Sequence, residues 1–99
     1  MNFDFESKEL LELYLTGTGS VAKQFPSQVI GEFFLIMAEI TAAVDERDLR
    51  ALKSRRFEKL HRGHGEHSMR LNKQFRLIFT RSLDGTGQKL LIRRIEDYH

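Results

Sequence analysis

The last four residues are Glu96-Asp97-Tyr98-His99. Tyrosine and histidine can both act as general acid or base, and an aspartate beside them can orient them or fix a tautomer. Upstream, His67-Ser68-Met69-Arg70-Leu71 and Phe75-Arg76-Leu77-Ile78-Phe79-Thr80 alternate apolar and polar residues. If Met69, Leu71, Phe75, Leu77 and Phe79 face a core, Arg70 and Arg76 project from the opposite sheet face. Two guanidinium groups on one open face make a preorganised anion site, because each can pair bidentately with phosphate. Cleaving RNA with its own 2′-hydroxyl as nucleophile needs a base, an acid for the leaving oxygen and fixed cations, but no metal. Arg70, Arg76, His61 and the terminal Tyr98-His99 supply each of those types.

Other chemistries find less support. The chain has no cysteine, which excludes disulfide frameworks, thiolate zinc sites and cysteine nucleophiles. His61, His64 and His67 are three residues apart, a spacing that would gather metal ligands on a helix. Gly63 and Gly65 interrupt that segment, and in a strand positions 61 and 64 point to opposite faces. Neither a metal site nor a cofactor is therefore expected.

The charge is divided along the chain. The formal net charge is only +2 over 99 residues. Up to Leu49 there are three Lys and Arg against nine Asp and Glu, a net −6; from Arg50 onward there are thirteen against five, a net +8. All four histidines lie in the second part. Such asymmetry suggests a polyanion partner for one face, against the plainer reading of a dipolar surface. Hydrophobic residues make up 40% and charged residues 30%, an ordinary globular balance with length for one domain, residues 1–99. No apolar run approaches the roughly 18 residues a spanning helix requires, and the acidic start is unlike a secretory signal. A cytoplasmic protein with no membrane contact is expected.

The elements that must position these residues are legible from periodicity. Phe3-Asp4-Phe5 suits a short edge strand. Ser7 to Thr16 reads as a helix ended by Gly17 and Gly19, with Thr16 to Ser20 as a loop. Ser27 is a good N-cap, and Val29, Ile30, Phe33, Phe34, Met37, Ile40 and Val44 follow at helical spacing. Ser27 to Ala43 makes a helix about 25 Å long. Asp45 to Leu52 reads as a turn into a short helical segment, and Ser54 to Gly65 as a strand or extended loop followed by a turn. Two alternating strands joined through Asn72-Lys73-Gln74 follow, then a turn over Ser82 to Gln88 and a last strand over Lys89 to Glu96. Helices first and an antiparallel meander afterwards give an α+β architecture.

In this order and spacing the residues resemble the HigB toxins of the RelE/ParE toxin–antitoxin superfamily. The resemblance is carried by the opening strand, the Leu-rich helix ending in Thr16-Gly17, and Asp48-Leu49-Arg50 with Arg56-Phe57-Glu58-Lys59-Leu60. It continues through the hairpin from Gly65 to Phe79, with its Ser-x-Arg-x-Asn-x-Gln-aromatic-Arg core at Ser68 to Arg76, and the Glu96-Asp97-Tyr98-His99 ending. It spans nearly the whole chain.

The resemblance implies a RelE-like microbial RNase fold, N-terminal helices packed on a twisted antiparallel sheet. It implies a toxin that enters the A site of the 70S ribosome and cuts mRNA there, neutralised by a helix-turn-helix, HigA-like antitoxin. By position, Arg76 would hold the scissile phosphate, and Asp97, Tyr98 and His99 match the terminal catalytic set, with Tyr98 or His99 handling protons. Arg56, Lys59, Arg62, Arg70 and Lys73 are the expected RNA-binding residues. After Leu60 the family has Lys or Arg, then Gly and a basic loop; here His61-Arg62-Gly63-His64-Gly65 is about one residue shorter. The basic position falls to His61 or Arg62, and Glu58 sits nearest the place where some relatives carry a His. Two other classes compete: a ParE-like inhibitor of a gyrase-type enzyme, and a non-catalytic module that binds ribosomes or RNA.

Overall fold

The computed structural model describes residues 1–62, 65–84 and 87–98. The chain opens with β1 (Asn2–Phe5), then α1 (Lys8–Thr16), α2 (Ser20–Gln24), α3 (Ser27–Ala42) and α4 (Glu46–Arg50). A single 3-10 turn (Lys53–Arg55) leads to β2 (Glu58–Lys59), β3 (Glu66–Arg70), β4 (Phe75–Asp84) and β5 (Gly87–Asp97). Local chemistry sets the helix ends. Ser7 caps α1 by accepting from the Leu10 amide at 3.1 Å. Gly17, at φ 72°, closes the same helix by donating to the Leu13 carbonyl, a conformation that favours glycine. Asp45 caps α4 by accepting from the Arg47 amide. Ser27 does not cap α3 as expected: Pro26 takes that place with φ −57°, and its carbonyl receives the amides of Val29 and Ile30. The five-residue α2 was not foreseen.

The sheet runs β1-β5-β4-β3-β2. Pairing from β2 through β5 is antiparallel, as expected, but β1 lies parallel to β5, with Asn2 opposite Lys89 and Phe5 opposite Ile92. The sheet is therefore mixed. The four helices carry the chain from β1 to the far edge, and the meander returns it alongside β1 in the same direction.

The helices cover one face. Leu10 and Leu13 of α1 and Val29, Phe33, Ile36, Met37 and Ile40 of α3 are buried against Met69, Leu71, Leu77, Phe79, Leu90 and Ile92 of the sheet region. Each such side chain stabilises by about 1.5–3 kcal/mol when fully buried. Phe75 packs partly against the same cluster, so all five residues expected to face the helices do so. A polar clamp reinforces α3: Arg55, 8% exposed, donates from Nε to Glu39 and from Nη1 to Glu32, both at 2.8 Å, and from Nη1 to the Arg70 carbonyl at 3.3 Å. Among the described residues no helix is long and apolar enough to cross a membrane.

Candidate active site

The face of the sheet away from the helices carries the polar residues. Arg70 pairs in register with Arg76, and Arg76 with Glu96 on the other side, so these three share one face. Glu58 is opposite Ser68, which is opposite Ile78, and Ile78 is opposite Arg94, a second row on that face. The hairpin that sets this register is held by Asn72, whose Oδ1 accepts from the Gln74 and Phe75 amides at 2.8 Å each. The Tyr98 amide donates to the Gln74 carbonyl at 2.6 Å, which ties the chain end to the same hairpin.

Arg76 lies at the centre and is only 7% exposed. Its guanidinium carbon is 4.3 Å from the centroid of the Tyr98 ring, a cation–π contact that roofs it. Its Nη1 is 3.4 Å from Glu58 Oε1, an ion pair without hydrogen-bond alignment, and is otherwise unsatisfied. Ser68 Oγ and Arg70 Nε, on the same face, are also buried without a partner. Three orphaned polar atoms side by side mark a place where a polar ligand would be welcomed. Beside them opens a cleft of about 410 Å³ lined by Leu60, His61, Arg62, Glu96, Asp97 and Tyr98.

The expected site residues therefore divide. His61, Arg62, Asp97 and Tyr98 meet at the cleft, although more than thirty positions separate the two segments, and Arg76 joins them beneath Tyr98. Arg62 is an ion-pair partner of Glu96. Asp97 pairs in register with Phe75, alternates with Glu96, and accepts from Gln74 Nε2 at 3.1 Å. Arg70 adjoins Arg76. Arg56, Lys59 and Lys73 are exposed outside the cleft: Arg56 at φ 47° after the 3-10 turn, Lys59 on β2 opposite His67, Lys73 in the hairpin loop. His99 and His64 lie outside the described residues. Of the remaining histidines, His61 is exposed while His67 is 2% exposed on the helix-facing side, stacked on Phe79 with its Nδ1 3.0 Å from the Gly65 carbonyl. Burial holds the His67 imidazole below its ordinary pKa, so it is a neutral core histidine.

The acids on this face were not singled out by sequence, apart from the passing placement of Glu58. Glu66 is nearly buried and accepts from Arg94 through both oxygens, at 2.8 and 3.1 Å, with Arg93 at 3.1 Å. The Arg94 hydrogen bonds hold the Glu66 carboxyl below the usual range, despite its burial. Arg93 also reaches Glu6 at 2.9 Å. Glu58 stands apart as a half-exposed carboxylate beside the central arginine. The signal that could have found it is the alternation itself, because a two-residue strand next to Ser68 brings Glu58 onto the arginine face.

Helices on one side of a five-stranded mixed sheet, with the polar cleft on the other, define an α+β fold found in known toxins. The chain superposes on the YoeB/ParE toxin from Agrobacterium tumefaciens with a TM-score of 0.57 at 13% identity, covering 100% of both chains. It matches a chain of the YoeB-YefM complex from Staphylococcus aureus with a TM-score of 0.55 at 23% identity, covering 100% of this chain and 97% of that one. No family model and no curated protein sequence matches the chain.

Proposed function

We propose that the 99 residues form the toxin domain of a toxin–antitoxin system and that it is a ribosome-dependent mRNA endonuclease, cytoplasmic and held in check by a helix-turn-helix, HigA-like antitoxin. The likeness in fold to the two toxin structures supports the class. The observation that carries the activity is the stack of Tyr98 over Arg76 with Glu58 beside it, at the edge of a cleft that also holds His61.

In this reading Glu58 accepts the proton of the 2′-hydroxyl as that oxygen attacks phosphorus. The bond to the 5′-oxygen breaks, and Tyr98 or His99 returns a proton to it, leaving a 2′,3′-cyclic phosphate and a 5′-hydroxyl. As Glu58 becomes neutral its hold on Arg76 weakens, and the guanidinium is freed for the charge growing on the phosphoryl oxygens. Asp97 helps to hold the chain end through Gln74, and His61 supplies a second donor across the cleft. No metal or cofactor takes part in these steps.

Purified ribosomes programmed with a defined mRNA provide the test. Wild-type protein should cut the message, and Arg76→Ala should lower the rate by roughly 10–10³-fold. Intact mRNA together with growth arrest and DNA damage would instead favour gyrase inhibition, and salt-sensitive ribosome binding without cutting would favour a non-catalytic module.

A further inference from the structure

The outer face of α3, turned away from the sheet, is uncharged. Gly31, Leu35, Ala38 and Ala42 lie along it at intervals of four, three and four, and all are exposed, Leu35 to 56%. The two acids of α3, Glu32 and Glu39, stand on its flank and are drawn to Arg55 at 2.8 Å each. Phe34, partly buried, borders it on the other side. Gly31 has no internal reason to be glycine. It lies inside the helix, its φ is not positive, and a Cβ there would meet nothing within 4 Å. Glycine in a helix interior costs stability relative to alanine. What the missing Cβ permits is close approach from outside, by a second helix.

The two ends of α3 are complementary. Beyond its last turn stands Val44, 84% exposed, whose amide donates to Asp48 Oδ2 at 2.8 Å. The ion pairs of this turn are Arg47 with Asp45, and Arg50 and Arg81 with Glu46, which leaves Asp48 with none among the described residues. At the first turn of α3, Gln28 accepts from Asn72 Nδ2 at 3.2 Å. Beside that contact opens a hollow of about 470 Å³ whose lining includes Leu35, Leu71 and Lys73. Glu32, which also lines it, is held by Arg55. Lys73 is exposed and has no acidic partner among the described residues. One end thus offers an apolar knob beside a carboxylate, and the other an apolar hollow beside an ammonium group.

We infer that α3 is the interface of a two-fold dimer, in which it packs antiparallel on α3 of a second copy of this chain. A two-fold axis through the midpoint of the helix, between Phe34 and Leu35, sets the register. Gly31 of one copy lies opposite Ala38 of the other, Phe34 opposite Leu35, and Gln28 opposite Thr41. Leu35 then enters the hole formed by Gly31, Phe34, Leu35 and Ala38 of the second copy. The same symmetry carries the turn after α3 to the first turn of the other helix. Val44 meets the hollow at Leu35 and Leu71, and Asp48 faces Lys73. The acidic first part of one chain so meets the basic second part of the other. Lys73, outside the cleft, serves the second copy rather than RNA. The interface lies across the sheet from the cleft, and the inference does not rest on the ribonuclease reading.

Sedimentation equilibrium of the purified chain is the test. The mass should rise from 11.6 kDa toward twice that value as the concentration enters the micromolar range. Leu35→Glu sets like charges face to face and should weaken the dimer at least about 100-fold. Its urea melt in dilute solution should match wild type, because the position is exposed. Gly31→Gln should weaken the dimer roughly tenfold or more, yet raise the urea midpoint of the dilute monomer. Cross-linking reads the register, because the chain has no cysteine of its own. Gly31→Cys mixed with a mass-tagged Ala38→Cys should form the mixed disulfide. Two copies of either variant alone are offset by about 10 Å along the helices, beyond disulfide reach. A chain that stays monomeric, a Leu35→Glu variant that still dimerises, or like-with-like disulfides as fast as the mixed one overturns the proposal. So does a monomeric chain that Leu35→Glu prevents from binding the antitoxin of its own operon, since the face would then be that partner's.

Discussion

Replacing Glu58 with Gln removes one charge and keeps the shape, so its effects on chemistry and on stability can be separated by size. The carboxylate is 3.4 Å from Arg76 and its side chain is 45% exposed. At that distance the attraction is about 1 kcal/mol with water-like screening and about 5 kcal/mol at an effective dielectric near 20. With Glu58 half in water the lower figure applies, and loss of the pair should cost about 1 kcal/mol. Against a typical stability of about 5–15 kcal/mol the variant stays folded. If Glu58 is the base, its loss should slow the chemical step by roughly 10²–10⁴-fold, equivalent to about 3–5 kcal/mol of barrier. The assay is single-turnover cleavage of mRNA on purified ribosomes, beside a urea melt of the same sample. A variant folded to wild-type extent yet slower by two orders of magnitude supports the mechanism. A rate within threefold of wild type refutes Glu58 as the base.

Other outcomes follow from named contacts. Arg55→Met leaves Glu32 and Glu39 free to turn to water but unties α3 from the hairpin end of the sheet, and should lower stability by about 2 kcal/mol. For a chain of this size that is a fall in Tm of about 8–16 °C in a thermal melt. His67 has its folded pKa depressed by burial, so the unfolded chain takes up the proton first. Its contribution is present above the unfolded value of about 6.5 and is lost as pH falls through that value toward the folded one. Urea melts at pH 7 and pH 5 should therefore show a smaller pH difference in His67→Phe than in wild type. Asn72→Ala removes the acceptor for two hairpin amides and should cost about 1 kcal/mol in the same melts.

Much of the fold was legible because it is written in periodicities that need only neighbouring residues. The helical stripe from Val29 to Ile40 and the alternation from Met69 to Phe79 name the core, and that alternation alone puts Arg70 and Arg76 on the other face. What the sequence could not convey depends on pairing at a distance. A four-residue edge strand does not state which strand it joins or in which direction, so the parallel β1–β5 pair was invisible. The +8 of the basic half was equally silent about which charges were engaged. Arg62 meets Glu96 across 34 positions and Arg94 meets Glu66 across 28, so only the folded chain shows which charges are balanced. The same long-range closure seats Arg76 under Tyr98 rather than open to solvent, with Glu58 as its ion-pair partner.

The central claim is metal-independent acid–base cleavage using the 2′-hydroxyl of the message. The most direct measurement is the chemistry of the new ends after wild-type protein acts on mRNA in ribosomes, paired with a message carrying a single 2′-deoxynucleotide at the cut position. The account predicts a 2′,3′-cyclic or 3′-phosphate on one fragment, a 5′-hydroxyl on the other, and no cut at the deoxy position. A 3′-hydroxyl with a 5′-phosphate, or undiminished cutting at the deoxynucleotide, would contradict it.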